Sequence, residues 1–87
     1  MSERILIAAA QINCTVGDLS GNAARILEST ERARAARADL VLTPELSLCG
    51  YPPEDLVLRE GFLADCRREL EQLAARVRGV SLVVGFP

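Results

Sequence analysis

A single carboxylate, that of Glu45, stands where an apolar stretch of the chain ends. The short run Leu40-Val41-Leu42 predicts a buried strand whose carboxyl end is Thr43. Pro44 has no N–H to give to a neighbouring strand, so it stops the strand and leaves Glu45 just beyond it. Open α/β sheets keep their ligands at this end of their strands. A carboxylate withdrawn from water there can have its pKa raised into the range of a general base. On spacing alone, however, a solvated surface carboxylate is the commoner explanation.

The three thiols are the other candidates for nucleophilic chemistry. Cys49 lies four residues after Glu45, but beside Leu48 and Gly50 it is more typical of a small packing residue. Cys14 follows the first predicted strand and could line the same edge of the sheet, although packing is again the commoner role. Cys66 falls on the apolar side of a predicted helix, and we expect it in the core.

The absence of two residue types restricts the chemistry further. The sequence contains no His and no Lys, so every basic side chain is an Arg. A guanidinium stays protonated and cannot act as a general base. Acid–base chemistry within this chain must therefore come from carboxylates, thiols or Tyr51. The adjacent Glu54 and Asp55 are expected to begin a helix and not to bind a metal, because no further oxygen ligands lie nearby.

The alternation of apolar segments predicts a β-α-β-α-β order with three mainly parallel strands and two main helices. Both strands of each βαβ unit should lie side by side, which brings Glu45 to the same edge as Gln11. The predicted strands lie at 5–10, covered on both faces, at 40–42 and at 80–84. The predicted helices run from Ala23 to 38–39, capped by Asn22, and over 63–77, ended by Gly79. A helical turn is predicted at 55–58.

Length and composition exclude several classes of protein. With 87 residues, 49% of them apolar, the chain forms one domain at most. A net charge of -2 without charged blocks disfavours nucleic acid and anionic membranes as partners. Three unpatterned cysteines and no membrane-length apolar run favour a reduced, cytoplasmic protein. A three-stranded sheet with two helices would leave one apolar face and an edge uncovered, which favours a larger parent or an oligomeric partner.

Two stretches together carry a resemblance to a known family. Residues 43–55, TPELSLCGYPPED, and residues 11–22, QINCTVGDLSGN, resemble the nitrilase superfamily of carbon-nitrogen hydrolases, and within it the amino-terminal glutaminase domain of glutamine-dependent NAD synthetases. The resemblance extends from the first strand to the last residue. It implies a four-layer α-β-β-α sandwich, of which residues 1–87 would be an N-terminal fragment without a complete domain boundary.

The resemblance also implies a mechanism. In that family a Cys thiolate attacks an amide, a Glu accepts the thiol proton and returns it to the departing ammonia, and a Lys stabilises the oxyanion. Glu45 matches the catalytic Glu, whereas the family's Lys and Cys belong to later motifs. Tyr51 matches a residue that helps to wall the glutamine pocket. Packing of its ring onto the sheet is an equally good explanation here.

Further expectations follow from the same resemblance. The parent would release ammonia from glutamine and use it to convert deamido-NAD to NAD, with ATP and Mg bound by a separate synthetase domain. We expect no metal or cofactor in the present segment, which lacks phosphate-loop, dinucleotide and zinc-spacing motifs. The parent would be a homo-oligomer, and the isolated chain would be inactive. Two alternatives remain open: an amidase or carbamoylase acting on a free small molecule, and a non-catalytic, truncated α/β module.

Overall fold

Three short apolar segments pair in parallel and form the sheet. The structure, a computed structural model, describes residues 4–86. The strands are β1 (Ile7–Ala9), β2 (Leu40–Leu42) and β3 (Ser81–Val83), in the order β1-β2-β3. Two helices connect them, α1 (Leu19–Ala35) and α2 (Glu60–Arg76), and a short 3-10 helix, Glu54–Leu58, precedes α2. This arrangement confirms the predicted β-α-β-α-β order and the parallel pairing.

Both helices pack on one face of this sheet. The core cluster contains Ile26 of α1, Leu48 of the loop after β2, and Leu73 of α2. Leu82 of β3 packs against this cluster, and its partner in the strand register, Val41, is fully buried. Since side chains alternate between the faces of a sheet, Leu82 and Val41 define the covered face.

The opposite face of the sheet is apolar and exposed among the described residues. Ile7, Leu42 and Val83 retain 53%, 39% and 53% of their surface. The prediction of one uncovered face is confirmed. The expectation that the strand at 5–10 is covered on both faces is wrong within this chain, because both helices lie on the same side and nothing in residues 4–86 packs over Ile5 or Ile7.

The first helix begins earlier than predicted. It starts at Leu19, and the carboxylate of Asp18 accepts a hydrogen bond from the Gly21 N–H at 3.2 Å. Asp is as good an N-cap as Asn, so the helix begins at the first suitable residue. The predicted cap, Asn22, lies within the first turns of α1 and is fully buried. The assignment of Asn22 as a cap is therefore wrong.

The other boundaries shift by a few residues. Helix α1 ends at Ala35, and Arg37 then adopts a left-handed conformation (φ 67°) that turns the chain into β2. The sequence pattern predicts Gly79 (φ 72°) directly after the end of α2. Helix α2 ends earlier, at Arg76, so two residues separate Gly79 from the helix. Each strand contains three residues, and the Ala10 N–H, which donates to Leu42 O at 2.8 Å, continues the pairing of β1 with β2 by one residue.

Within residues 4–86, neither helix has the length and apolar character needed to cross a membrane.

Candidate functional site

Glu45 lies at the carboxyl end of β2 and lines a small cleft. The cleft has a volume of about 170 Å³. We use "the cleft" for the space between its lining residues, which are Ile12, Asn13, Cys14, Pro44, Glu45, Ser47 and Tyr51. Complete ligand pockets usually measure roughly 300–1,000 Å³. The described residues therefore form one wall of a site and do not enclose it.

Two loops build this wall. The β1 loop (residues 10–18) follows the first strand, and the β2 loop (residues 43–53) follows the second. Because β1 and β2 are parallel neighbours, their carboxyl ends lie side by side, and both loops leave the sheet at one edge. This topology brings Asn13 and Cys14 next to Glu45. It agrees with the prediction that Glu45 and Gln11 lie at the same edge of the sheet.

The carboxylate of Glu45 is exposed and takes no part in an ion pair with any residue in the range 4–86. The ion pairs in that range join Arg25 to Asp18, Arg34 to Glu31, and Arg68 to Asp65, all on or beside the helices. An adjacent guanidinium would favour the charged carboxylate and make it a weaker base. Within residues 4–86, no guanidinium pairs with the Glu45 carboxylate.

A hydrogen-bonded turn holds Glu45 in place. The N–H of Ser47 donates to Pro44 O at 3.1 Å and closes the turn. The Ser47 hydroxyl, which is buried, donates to Thr43 Oγ1 at 2.8 Å, and the Thr43 hydroxyl donates to Val83 O at 2.9 Å. These bonds connect both sides of the turn to β3, so the backbone of Glu45 is fixed while its side chain faces solvent.

Two glycines permit close backbone contacts around the same turn. A Cβ on Gly85 would lie 2.5 Å from the Leu46 nitrogen, and a Cβ on Gly50 would lie 2.6 Å from the Val16 Cα. Gly50 also has a φ of +83°, which favours glycine. The β2 loop thus lies against the segment that follows β3 on one side and against the β1 loop on the other.

Tyr51 lies six residues after Glu45 and lines the same cleft. Its side chain retains 61% of its surface, so the ring is not packed into the core. The structure brings together the two residues singled out from the sequence, Glu45 and Tyr51. Whether they bind and transform a substrate stays a prediction.

The three thiols lie in environments that disfavour the thiolate. Cys49 and Cys66 are fully buried, and burial raises the pKa of Cys49 and raises that of Cys66 to about 11. Burial also raises the pKa of Cys14, although the charge of Arg25 opposes this. A reactive nucleophile needs the opposite shift. The predicted packing role therefore fits Cys49 and Cys66, whereas Cys14 lines the cleft as a half-buried thiol.

The described residues contain no group of three or more Cys, Asp or Glu side chains close enough to hold a metal ion. Glu54 and Asp55 occupy the first turn of the 3-10 helix, where acidic side chains are favoured.

Sequence reasoning missed the polar residues that support the cleft from behind. The sequence pattern predicts a helix end at Asn22 and does not indicate the pair Thr43 and Ser47. One signal was available: Asn22, Ile26 and Thr30 recur at steps of four, the spacing of one helix face, and all three are fully buried. No comparable pattern marks Ser47, because its partners are set by the turn.

Comparison with known proteins places these observations in a family. Residues 6–87 match the family model of carbon-nitrogen hydrolases. The glutamine-dependent NAD(+) synthetase of Xylella fastidiosa (strain Temecula1) is 51% identical over 88 residues, which cover 100% of this chain and 16% of that protein. The chain thus spans about one sixth of the length of this relative.

Solved structures show the same fold. A glutamine-dependent NAD(+) synthetase from Cytophaga hutchinsonii superposes with a TM-score of 0.90 at 30% identity, covering 95% of this chain and 14% of that one. An amidase from Nesterenkonia sp. superposes with a TM-score of 0.78 at 30% identity, covering 95% of this chain and 32% of that one. The fold is therefore the beginning of a nitrilase-type sandwich, and the chain belongs to the carbon-nitrogen hydrolase family.

Proposed function

We propose that this chain supplies the general base and one wall of the amide-binding site of a glutaminase. One observation carries the proposal: Glu45 projects from the end of a parallel strand into a cleft that it shares with Tyr51, without an ion pair to any Arg in residues 4–86. The similarity to glutamine-dependent NAD(+) synthetases supports glutamine as the amide.

The proposed reaction uses Glu45 twice. Its carboxylate accepts the proton of a Cys thiol, and the thiolate attacks the amide carbon. The carbon–nitrogen bond then breaks, Glu45 returns the proton to the departing ammonia, and a thioester remains. Water hydrolyses the thioester to glutamate and restores the thiol. The thiol and the oxyanion-stabilising Lys come from parts of the domain outside these 87 residues.

Within this proposal, residues 1–87 are the N-terminal part of the glutaminase domain. The ammonia is used by a synthetase domain of the same protein for the ATP- and Mg-dependent conversion of deamido-NAD to NAD, in a homo-oligomeric parent. The isolated chain is inactive because it has no Lys and because its thiols have raised pKa values. Purified residues 1–87 should release no ammonia from glutamine. Turnover that Cys49→Ala abolishes would contradict this.

The role of Glu45 is tested in the full-length protein with Glu45→Gln. This change keeps the size of the side chain but removes its ability to accept a proton. We expect kcat for glutamine hydrolysis to fall by roughly 10²- to 10⁴-fold. Synthesis supported by added ammonium should stay within about twofold, because it bypasses the amide. Steady-state ammonia release and NAD formation measure the two activities.

Glu54→Gln is the matched control. It removes a second exposed carboxylate nine residues along the chain that does not line the cleft. Its activity should equal that of the unmodified protein. If Glu45→Gln retains full glutamine turnover, or if both variants lose it equally, Glu45 is not the base.

A second function is favoured by one observation, the similarity to the Nesterenkonia amidase. In that case the same Glu45 chemistry acts on a small free amide or carbamoyl compound and no ATP is consumed. Ammonia release from a panel of small amides, with glutamine included, separates the two: preference for another amide over glutamine would favour the amidase.

A further inference from the structure

The side chain of Asn22 makes four hydrogen bonds, more than any other side chain among the described residues. It is fully buried on α1. Its Nδ2 group donates to Thr15 O at 2.7 Å and to Leu48 O at 3.0 Å. Its Oδ1 accepts from the Thr15 N–H at 2.8 Å and from Arg25 Nη1 at 3.2 Å. One amide thus binds the backbone of both loops that form the cleft.

The two loops also contact each other directly where Asn22 holds them. The Gly17 N–H of the β1 loop donates to Cys49 O of the β2 loop at 2.8 Å. On the neighbouring residue, Gly50 lies against the backbone of Val16 so closely that no Cβ fits between them. These contacts require the loops to keep one relative position. The Asn22 side chain, on α1, joins them by donating to Thr15 O of one loop and to Leu48 O of the other.

We propose that Asn22 is a positioning residue for the reaction: by bonding Leu48 O and both backbone groups of Thr15, it sets the place of Glu45 relative to the opposite wall of the cleft. Leu48 follows Glu45 by three residues, and Thr15 follows the cleft residue Cys14 directly. Asn22 contacts neither the cleft nor a substrate, and it acts through the loops. This inference rests on the proposed base role of Glu45.

Thr30 provides a comparison on the same helix. It is equally buried and lies on the same face of α1, yet its hydroxyl donates to Ile26 O at 2.7 Å, within the helix itself. The Thr30 hydroxyl bond therefore joins two residues of α1 and no loop of the cleft. Loss of the Asn22 bonds leaves the buried Leu48 O without its donor, so the β2 loop must move to find water or another partner. Thr15 O loses one of its two donors, because the Asp18 N–H also donates to it at 3.1 Å.

The test uses Asn22→Asp and Thr30→Val in the full-length protein, at a temperature where both variants are folded. Asp has the shape of Asn but puts an acceptor where the two N–H donors were, facing the carbonyl oxygens. We expect kcat for glutamine hydrolysis to fall by roughly ten- to a hundredfold in Asn22→Asp, as a displacement of about 1 Å would produce. KM should change less than kcat, and ammonium-dependent synthesis should stay within about twofold.

Hydrogen exchange, followed by mass spectrometry, reports on the loops independently of activity. Peptides covering residues 13–18 and 45–50 should exchange faster in Asn22→Asp than in Thr30→Val, which should keep its kcat within about twofold. Asn22→Ser, which is smaller and retains one hydroxyl donor, replaces Asn22→Asp in both measurements if the latter does not fold.

The outcomes separate the two proposals. If the unmodified protein hydrolyses no glutamine, the proposed function fails, and the exchange data decide whether Asn22 holds the loops. If it does hydrolyse glutamine and Asn22→Asp keeps its kcat, the positioning role is overturned. Equal losses of kcat in Asn22→Asp and Thr30→Val would likewise overturn it, since they would reflect general destabilisation.

Discussion

The β2 loop and the segment that follows it belong to one connection between β2 and α2, yet they differ in almost every physical respect. Ser47, Leu48 and Cys49 of the β2 loop are buried, although the loop has no regular structure. In the next segment, the 3-10 helix Glu54–Leu58, Leu58 keeps 82% of its surface. In the first turn of α2 directly after it, Gly61 has no neighbouring atoms where a Cβ would stand.

This difference shows which part of the connection depends on buried hydrogen bonds. A buried loop must satisfy its backbone groups without a strand or helix to do so. In the β2 loop, Leu48 O accepts from Asn22, the Leu48 N–H donates to Gly85 O, and the Gly50 N–H donates to Leu46 O within the loop. No buried side-chain N or O among the described residues lacks a partner. The stretch that presents Glu45 is rigidly supported, whereas the stretch after it is not. Three pairs of substitutions test this contrast.

The largest difference in stability is expected between the substitution of a buried leucine and that of an exposed leucine. Leu48→Ala removes a fully buried side chain from the core cluster and should destabilise the β2 loop and the core by about 2–5 kcal/mol. Leu58→Ala should change stability by less than about 0.5 kcal/mol, because Leu58 is mostly exposed. Hydrogen exchange in the full-length protein, of peptides covering residues 43–53 for Leu48→Ala and residues 54–61 for Leu58→Ala, measures the two effects. Equal effects would show that the two segments are equally packed.

The second pair compares two glycines. Gly50→Ala forces a Cβ to within 2.6 Å of the Val16 backbone at a φ of +83°, so we expect a loss of about 2–4 kcal/mol. Gly61→Ala should instead stabilise by about 0.5–1 kcal/mol, because Gly61 lies in the first turn of α2 with open space around it. The same exchange measurement, extended to peptides of α2, should show faster exchange in Gly50→Ala and slower exchange in Gly61→Ala than in the unmodified protein. A stabilising Gly50→Ala would refute the close contact of the loops.

The smallest effect is expected for a hydroxyl of the Glu45 turn. Ser47→Ala removes the donor to Thr43 Oγ1 and should cost about 0.5–1.5 kcal/mol of local stability. Ser20→Ala, at an exposed position of α1, serves as its control and should fall within about 0.5 kcal/mol of zero. If Ser47→Ala matches its control, the hydroxyl bonds do not hold the turn.

Much of the fold could be predicted because it depends on local patterns. The apolar run at 40–42 and the proline after it were enough to end a strand and place Glu45 at its carboxyl end. The apolar steps of three and four from Cys66 to Leu73 predicted α2, and both residues are buried. Leu63, the first residue of the helix predicted at 63–77, lies near the start of α2 and keeps 39% of its surface.

The errors arose where a local rule allowed two answers. Asp18 and Asn22 are both good N-caps, and only the packing of α1 against the loops selects Asp18 and leaves Asn22 for the interior. Similarly, an apolar strand such as 5–10 requires cover on both faces, but its sequence does not say which part of a molecule provides that cover.

By itself the sequence determined the order of the elements, the parallel sheet and the presence of one carboxylate at its edge, because hydrophobic periodicity and proline act over a few residues. Only the tertiary structure decided how that carboxylate is held. The bond from Asn22 to Leu48 joins residues 26 positions apart, and the contact of Gly50 with Val16 exists only once the two loops meet. Such contacts depend on the backbone path between distant segments, which no local pattern of side chains encodes.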